Sequence, residues 1–352
     1  MDIEILLALQ QFRNGVGEIL SDFLLKITFL GELNTVLVIM AIVYWAVNKE
    51  LGTYLLMGWS GNRLVNGVLK VTVCAYRPWI RSADIVPYGN SMETATGYSF
   101  PSGHTMNAAT VYGGVAVRKD MPPALRVTMA VTVVLVAFSR LFLGVHTPQD
   151  VLVGGVIGML VMWLVCGMMR WIDAHPGKDR IVVLAGLALA ALAAAYAGFK
   201  PYPEDFGADG KLLVDSAKMA NDTFKGVGWC AAFLVGWILE RRFVGFSTDI
   251  SMTQKLTRVA AGLIIYYAVS LILVPRVKAW IPGPVGTMVS CFLQMFYVSF
   301  FFPWCVKRLE KDGNYQKGDP ALTIQDGKSP RYGRRTFRRR KRFKINRGGA
   351  LC

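Results

Sequence analysis

Apolar residues run in long blocks along this chain, separated by short polar stretches. Nine blocks fall at about 33–48, 52–75, 103–118, 125–145, 149–171, 181–199, 224–240, 257–275 and 284–306. A helix needs about 20 residues to cross bilayer hydrocarbon, and these blocks cluster around that length. The pattern predicts an all-α fold, a polytopic membrane bundle of about nine transmembrane helices. Ahead of the first block, residues 3–29 place Glu18, Asp22 and Lys26 at four-residue intervals on an otherwise apolar stretch. That spacing predicts an amphipathic helix lying in the membrane interface. The opening IEILLALQQF starts acidic and no small-residue cleavage site follows, so no cleavable signal peptide is expected.

Composition agrees with the blocks. Of 352 residues, 53% are hydrophobic and only 18% charged, and the mean hydropathy is +0.39. A soluble domain does not carry so many apolar runs with so few charges between them. The formal net charge of +16 is concentrated, with ten Lys/Arg and no acid between Arg331 and Arg347. Such a run predicts a disordered, solvated tail that can meet anionic lipid headgroups, at about 1 kcal/mol per basic residue near the surface. Nothing else in the chain supports nucleic-acid binding, and none is expected. The six cysteines are scattered without a CxxC pair, so neither a metal site nor a disulfide framework is expected.

Basic residues also suggest an orientation. Arg118, Lys119, Arg126, Arg170, Lys178, Arg180, Arg241, Arg242, Lys255, Arg258 and the tail all fall on one side of the predicted bundle. The loops at 77–100, 145–148 and 200–225 fall on the other. The positive-inside rule puts the first side, with the C-terminus, in the cytoplasm and the second side outside, in what is expected to be a bacterial cell membrane.

Three polar clusters gather on that outer side. Lys70 and Arg77 lie seven residues apart, nearly two helical turns, so they share a face at the end of the second block before Pro78 ends the helix. Pro101-Ser102-Gly103-His104 opens the third block, where exposed helix amides can hold an anion and Gly103 lets a ligand approach the backbone. Ser139 to Asp150 (SRLFLGVHTPQD) places Arg140 at the end of one block, His146 in the turn and Asp150 in the first turn of the next. Each cluster alone also reads as ordinary structure: snorkelling bases, an N-cap, an acid complementing a helix dipole. Together they supply cations, amides, a hydroxyl, a carboxylate and two histidines, a set suited to a tetrahedral oxyanion such as phosphate. No acidic cluster is available to hold Mg²⁺ or Zn²⁺, so no cofactor is expected and the protein cations do the neutralising. His175, in a loop on the cytoplasmic side, is expected to be an ordinary loop residue.

K-x6-R-P, then P-S-G-H, then S-R-x5-H-x3-D resembles the three-part signature of the type 2 phosphatidic acid phosphatase superfamily, over about residues 20–170. The flank ITFLGELNTV…YWAVNKELG is most similar to the sphingosine-phosphate phosphatase-like branch. The resemblance implies a six-helix membrane phosphatase core over residues 1–175, additional helices over 176–306 and a basic tail over 307–352. It implies His146 as a nucleophile forming a phosphohistidine, Asp150 orienting it, and His104 as the general acid. Lys70, Arg77, Arg140, Ser102 and Gly103 would hold the phosphoryl oxygens. The substrate class it implies is a lipid phosphate or an isoprenyl diphosphate, hydrolysed without metal at the extracytoplasmic face. A lipid phosphotransferase using the same residues is an alternative, as is a catalytically silent lipid-phosphate binding or transport protein. The sequon Asn221-Asp222-Thr223 is read as chance.

Overall fold

The computed structural model describes residues 2–207 and 210–317; the basic run from 331 onward lies outside the described residues. All of the main elements are helices. Two short helices, α1 (Asp2–Val16) and α2 (Glu18–Ile27), stand where one amphipathic helix was expected. They part at Gly17, whose φ of +81° lies in the left-handed region that a glycine enters freely. α3 (Leu33–Ile42) continues through a π-helical turn to Val47, and α4 (Lys49–Val73) follows, capped by Asn48, whose side chain accepts from the Leu51 amide. Then come α5 (Pro78–Arg81), α6 (Gly103–Ala108), α7 (Gly114–Ala116), α8 (Pro123–Phe142), α9 (Pro148–Ala174), α10 (Asp179–Phe199) and α11 (Ser216–Leu239). The chain closes with α12 (Met252–Ala268), α13 (Val274–Trp280), α14 (Gly283–Phe296) and α15 (Phe302–Lys317). Helix thus runs on past Val306, where the tail was expected to begin.

Each of the nine expected crossings is helical, but they differ in how they meet lipid. Five helices among the described residues are long and apolar enough to cross a membrane: Pro123–Phe142, Pro148–Ala174, Asp179–Phe199, Met252–Trp280 and Gly283–Glu310. The pair Glu18–Gly31 and Leu33–Val47, bent by 54°, passes the same test together. Their outer faces are bare hydrocarbon: Leu152, Trp163, Leu184, Leu192, Ile264 and Leu271 are all exposed, as lipid-facing side chains are. Neither α4 nor α11 passes, because both are inner helices with polar residues along one face. The segment α6 to α7 is too short.

The apolar core sits between α3, α4, α11 and α14, around Tyr44, Trp45, Tyr54, Trp59, Phe233 and Trp237. Side-chain amides inside it bond across from helix to helix, as a medium without water favours. Trp59 Nε1 donates to Asn107 Oδ1 at 3.2 Å, and Asn62 donates to Thr110 Oγ1 at 2.5 Å and to the Gly158 carbonyl at 3.2 Å. These bonds fasten α4 to α6 and α9.

Helix α9 fixes the place where chemistry can happen. Its N-terminus is a capping box: Thr147 accepts from the Asp150 amide, Asp150 accepts from the Thr147 amide, and Pro148 sits at the first helical position. One turn further, a Cβ on Gly154 would come within 3.0 Å of the Ser102 carbonyl oxygen, so α9 lies directly on the Pro101–Gly103 turn. Gly154→Val is therefore expected to push that turn away and cost about 1–3 kcal/mol, the usual range for overpacking. A lowered melting temperature in detergent, together with lost activity, would bear this out.

Candidate active site

His146 and Asp150 are brought together by helix geometry. They sit four residues apart across the start of α9, with Nδ1 of His146 3.4 Å from Oδ2 of Asp150. The carboxylate oxygen is held in turn by the Thr147 amide at 2.8 Å and by Ser99 Oγ at 2.5 Å. Nη1 of Arg77 lies within reach of both ring nitrogens, 2.9 Å from Nε2 and 3.4 Å from Nδ1. A carboxylate only accepts, so the neighbouring Asp150 assigns the proton to Nδ1 and leaves Nε2 as the acceptor. That tautomer leaves the Nε2 lone pair as the reactive one. His146 is 1% exposed, and burial, followed by the Arg77 charge, holds it well below the usual imidazole range, so the ring is neutral.

Arg77 stands at the centre of the site because the loop after α4 wraps around it. α4 ends where Cys74 adopts a left-handed φ of +51°, and an extended stretch leads to Pro78. The guanidinium donates to the carbonyls of Val145 at 2.9 Å, Gly97 at 2.9 Å and Thr96 at 3.2 Å. Lys70 sits in the last turn of α4, which ends at Val73 and not at Pro78 as expected, so it and Arg77 do not share a helix face; Lys70 donates to the Tyr98 carbonyl at 2.6 Å. Both cations therefore brace the 94–99 loop while facing one cavity.

That cavity, about 300 Å³, is lined by five of the eight residues that sequence reasoning singled out: Lys70, Arg77, Gly103, His104 and His146. Nε2 of His104 is buried and has no hydrogen-bond partner among the described residues, so it is free to meet a ligand in the cavity. The other three stand behind the wall. Asp150 backs His146. Ser102 is fully buried as the N-cap of α6, its hydroxyl accepting from Thr105 Oγ1 at 3.0 Å and its amide donating to the Asp150 carbonyl at 2.9 Å. Arg140 is also fully buried; one nitrogen donates to Thr28 Oγ1 at 2.6 Å, and Nε and Nη2 have no partner among the described residues. Two unpaired guanidinium nitrogens at 0% exposure are costly, and an anion within their reach would relieve that cost.

The site holds residues that the sequence reading passed over. Arg63 and Asn66 line the cavity from α4. A Cβ on Gly103 would sit 3.6 Å from Arg63 Nη1, so this arginine reaches the start of α6. Arg63, Asn66 and Lys70 recur at three- and four-residue intervals, a polar stripe that was visible in the sequence but not assigned. Ser99 and Glu32 join from the loops, Asn34 from the start of α3, and Met219, Asp222, Thr223 and Lys225 from α11. Among the described residues no group of three His, Cys, Asp or Glu side chains could hold a metal ion.

Comparison with known proteins places this arrangement. Residues 50–174 match the PAP2 superfamily model, and residues 224–314 match the model described as PAP2 superfamily phosphatase, transmembrane extension. Phosphatidylglycerophosphatase B of Bacillus subtilis is 33% identical over 160 residues, covering 42% of this chain and 74% of that protein. Undecaprenyl-diphosphatase of Sulfolobus acidocaldarius is 36% identical over 69 residues, 20% of this chain and 32% of that protein. Phosphatidylglycerophosphatase B of Escherichia coli is 38% identical over 80 residues, 22% of this chain and 30% of that protein. A crystal structure of a transmembrane PAP2 type phosphatidylglycerolphosphate phosphatase from Bacillus subtilis is 31% identical, covers 49% of this chain and 85% of that chain, and has a TM-score of 0.41. With the three signature clusters inside the matched region and the first relative covered over most of its length, this chain belongs to the PAP2 superfamily.

Proposed function

We propose that this membrane lipid phosphatase hydrolyses a lipid phosphate ester or isoprenyl diphosphate in two displacements at the extracytoplasmic face, with no metal. The observation that carries this reading is the ordered contact chain Asp150–His146–Arg77 facing a cavity that also holds Lys70 and His104. The phosphoryl group enters between Lys70, Arg77, Arg63 and the Gly103 amide, and Arg77 exchanges its contact with Nε2 for one with a phosphoryl oxygen. Nε2 of His146 then attacks phosphorus in line with the ester oxygen. The P–O bond breaks, and the departing alkoxide takes a proton from His104. As the N–P bond forms, Asp150 stabilises the imidazolium through Nδ1–H. In the second step His104 removes a proton from water, the hydroxide attacks phosphorus, and the N–P bond breaks to release phosphate. Arg140 and Ser102 support this from behind: Ser102 fixes the start of α6, and Arg140 adds positive potential to the buried site.

Phosphate release from purified protein tests this reading against phosphatidate, lysophosphatidate, sphingosine phosphate, phosphatidylglycerophosphate and undecaprenyl diphosphate. Turnover of at least one, undiminished by EDTA and blocked by vanadate, is expected. Reversible loss of activity on chelation would overturn the metal-free step. A phosphorylated acceptor instead of free phosphate would establish the transferase alternative. Orientation has its own test. A cysteine at Asn90, which is exposed in the 77–100 loop, should react with an impermeant thiol reagent added to intact cells. Labelling only after the membrane is breached would place the site in the cytoplasm.

A further inference from the structure

The helices after α10 were assigned no role in the sequence reading, yet α11 enters the site. It begins at Ser216, capped by Asp215, and packs so closely on α4 that a Cβ on Gly226 would lie 2.7 Å from the Arg63 carbonyl oxygen. Trp229, one turn further, lies beneath Arg63, whose guanidinium carbon is 5.6 Å from the ring centroid. This close contact delivers Asp222 and Lys225 to the cavity wall. The two side chains form an ion pair of 2.5 Å and remain 24% and 35% exposed, respectively, so they stand at the rim while His146 lies at the floor. Glu32 and the exposed Asn34 line the same cavity from the turn before α3 and its first residues.

We propose that Asp222 and Lys225, with Glu32 and Asn34, form a headgroup subsite that selects a phosphate monoester flanked by hydroxyl groups over a diphosphate. The inference rests on the phosphatase reading above and extends it to the choice of substrate. Charge is the argument. The floor of the cavity is cationic, but at the rim Lys225 and Asp222 neutralise each other, and Glu32 adds an acid to the lining. A second phosphoryl group would find no free ammonium at the rim and would meet the Glu32 carboxylate with like charge. Hydroxyl groups suit the same surroundings, because they donate to a carboxylate and accept from an ammonium or amide. The transmembrane extension therefore helps to read the substrate as well as to brace α4.

The test compares two substrates on one preparation of the full chain in detergent: lysophosphatidate, whose single phosphate monoester stands beside a free glycerol hydroxyl, and undecaprenyl diphosphate. The wild type should have the higher kcat/KM for the glycerol ester. Asp222→Asn and Lys225→Gln should each lower that preference about three- to tenfold, the cost of one lost hydrogen bond, chiefly through KM. A ratio of kcat/KM values cancels the active fraction, so partial misfolding of a variant does not mimic the result. A wild type that prefers the diphosphate, or ratios unchanged in both variants, would overturn the subsite while leaving the phosphatase reading intact. A wild type that releases phosphate from no member of the panel would overturn the phosphatase reading itself.

Discussion

His146→Ala is expected to reduce phosphate release by about 10⁴- to 10⁶-fold, the range seen when a catalytic nucleophile is removed. The size follows from the position of Nε2, which faces the cavity beside Arg77 while Nδ1 is held toward Asp150. Removing the ring leaves Lys70, Arg77 and His104 in the cavity, so the variant should still bind vanadate or phosphate. Binding without turnover separates a lost nucleophile from a collapsed site. Turnover within tenfold of the wild type would contradict the mechanism at its first step.

Asp150→Asn is expected to cost about 10²- to 10⁴-fold in kcat with little change in KM, by analogy with triads whose histidine loses its orienting carboxylate. The carboxylate oxygen accepts from three donors at once: the Thr147 amide at 2.8 Å, Ser99 Oγ at 2.5 Å and His146 Nδ1 at 3.4 Å. An asparagine keeps the shape but offers an amide that can donate to Nδ1. The proton would then move to Nε2 and remove the attacking lone pair. The same change weakens the capping box of α9, worth about 1 kcal/mol, so melting should fall slightly. Ser99→Ala, which removes one of the three donors, should give a smaller loss in the same direction. An Asp150→Asn enzyme with near-normal kcat would mean that His146 needs no orienting group.

Much of this was legible in the sequence because the chemistry is local. His146 and Asp150 flank the N-cap of α9, so their spacing alone placed that pair, whereas Lys70 and Arg77 do not share a helix face: α4 ends at Val73, Cys74 turns left-handed, and Arg77 comes back to the site on an extended stretch. The apolar blocks revealed the helices for the same reason. What escaped depends on where distant segments meet. Ser99 sits in a loop rich in small polar residues, and its contact with Asp150 arises only because that loop folds back over α9. Asp222 was read as part of the loop at 200–225, and Lys225 fell where that loop meets the crossing at 224–240. In fact α11 starts at Ser216, and its first polar turns enter the cavity beside α4. Ser102 and Arg140 show the converse. Both are signature positions, yet both are buried behind the wall, since the turn before α6 seats against Gly154 and Arg140 bonds to Thr28. The break at Gly17 was likewise hidden, because a glycine in an amphipathic stretch does not reveal its φ.

Attack on phosphorus by His146 rather than by water leaves a stereochemical record in the product. The most direct measurement is the stereochemical course of hydrolysis, using a lipid phosphate made chiral at phosphorus with oxygen isotopes. Each in-line displacement inverts phosphorus, so attack by His146 followed by water predicts net retention of configuration. Net inversion would mean a single direct displacement by water, and the phosphohistidine account would be wrong.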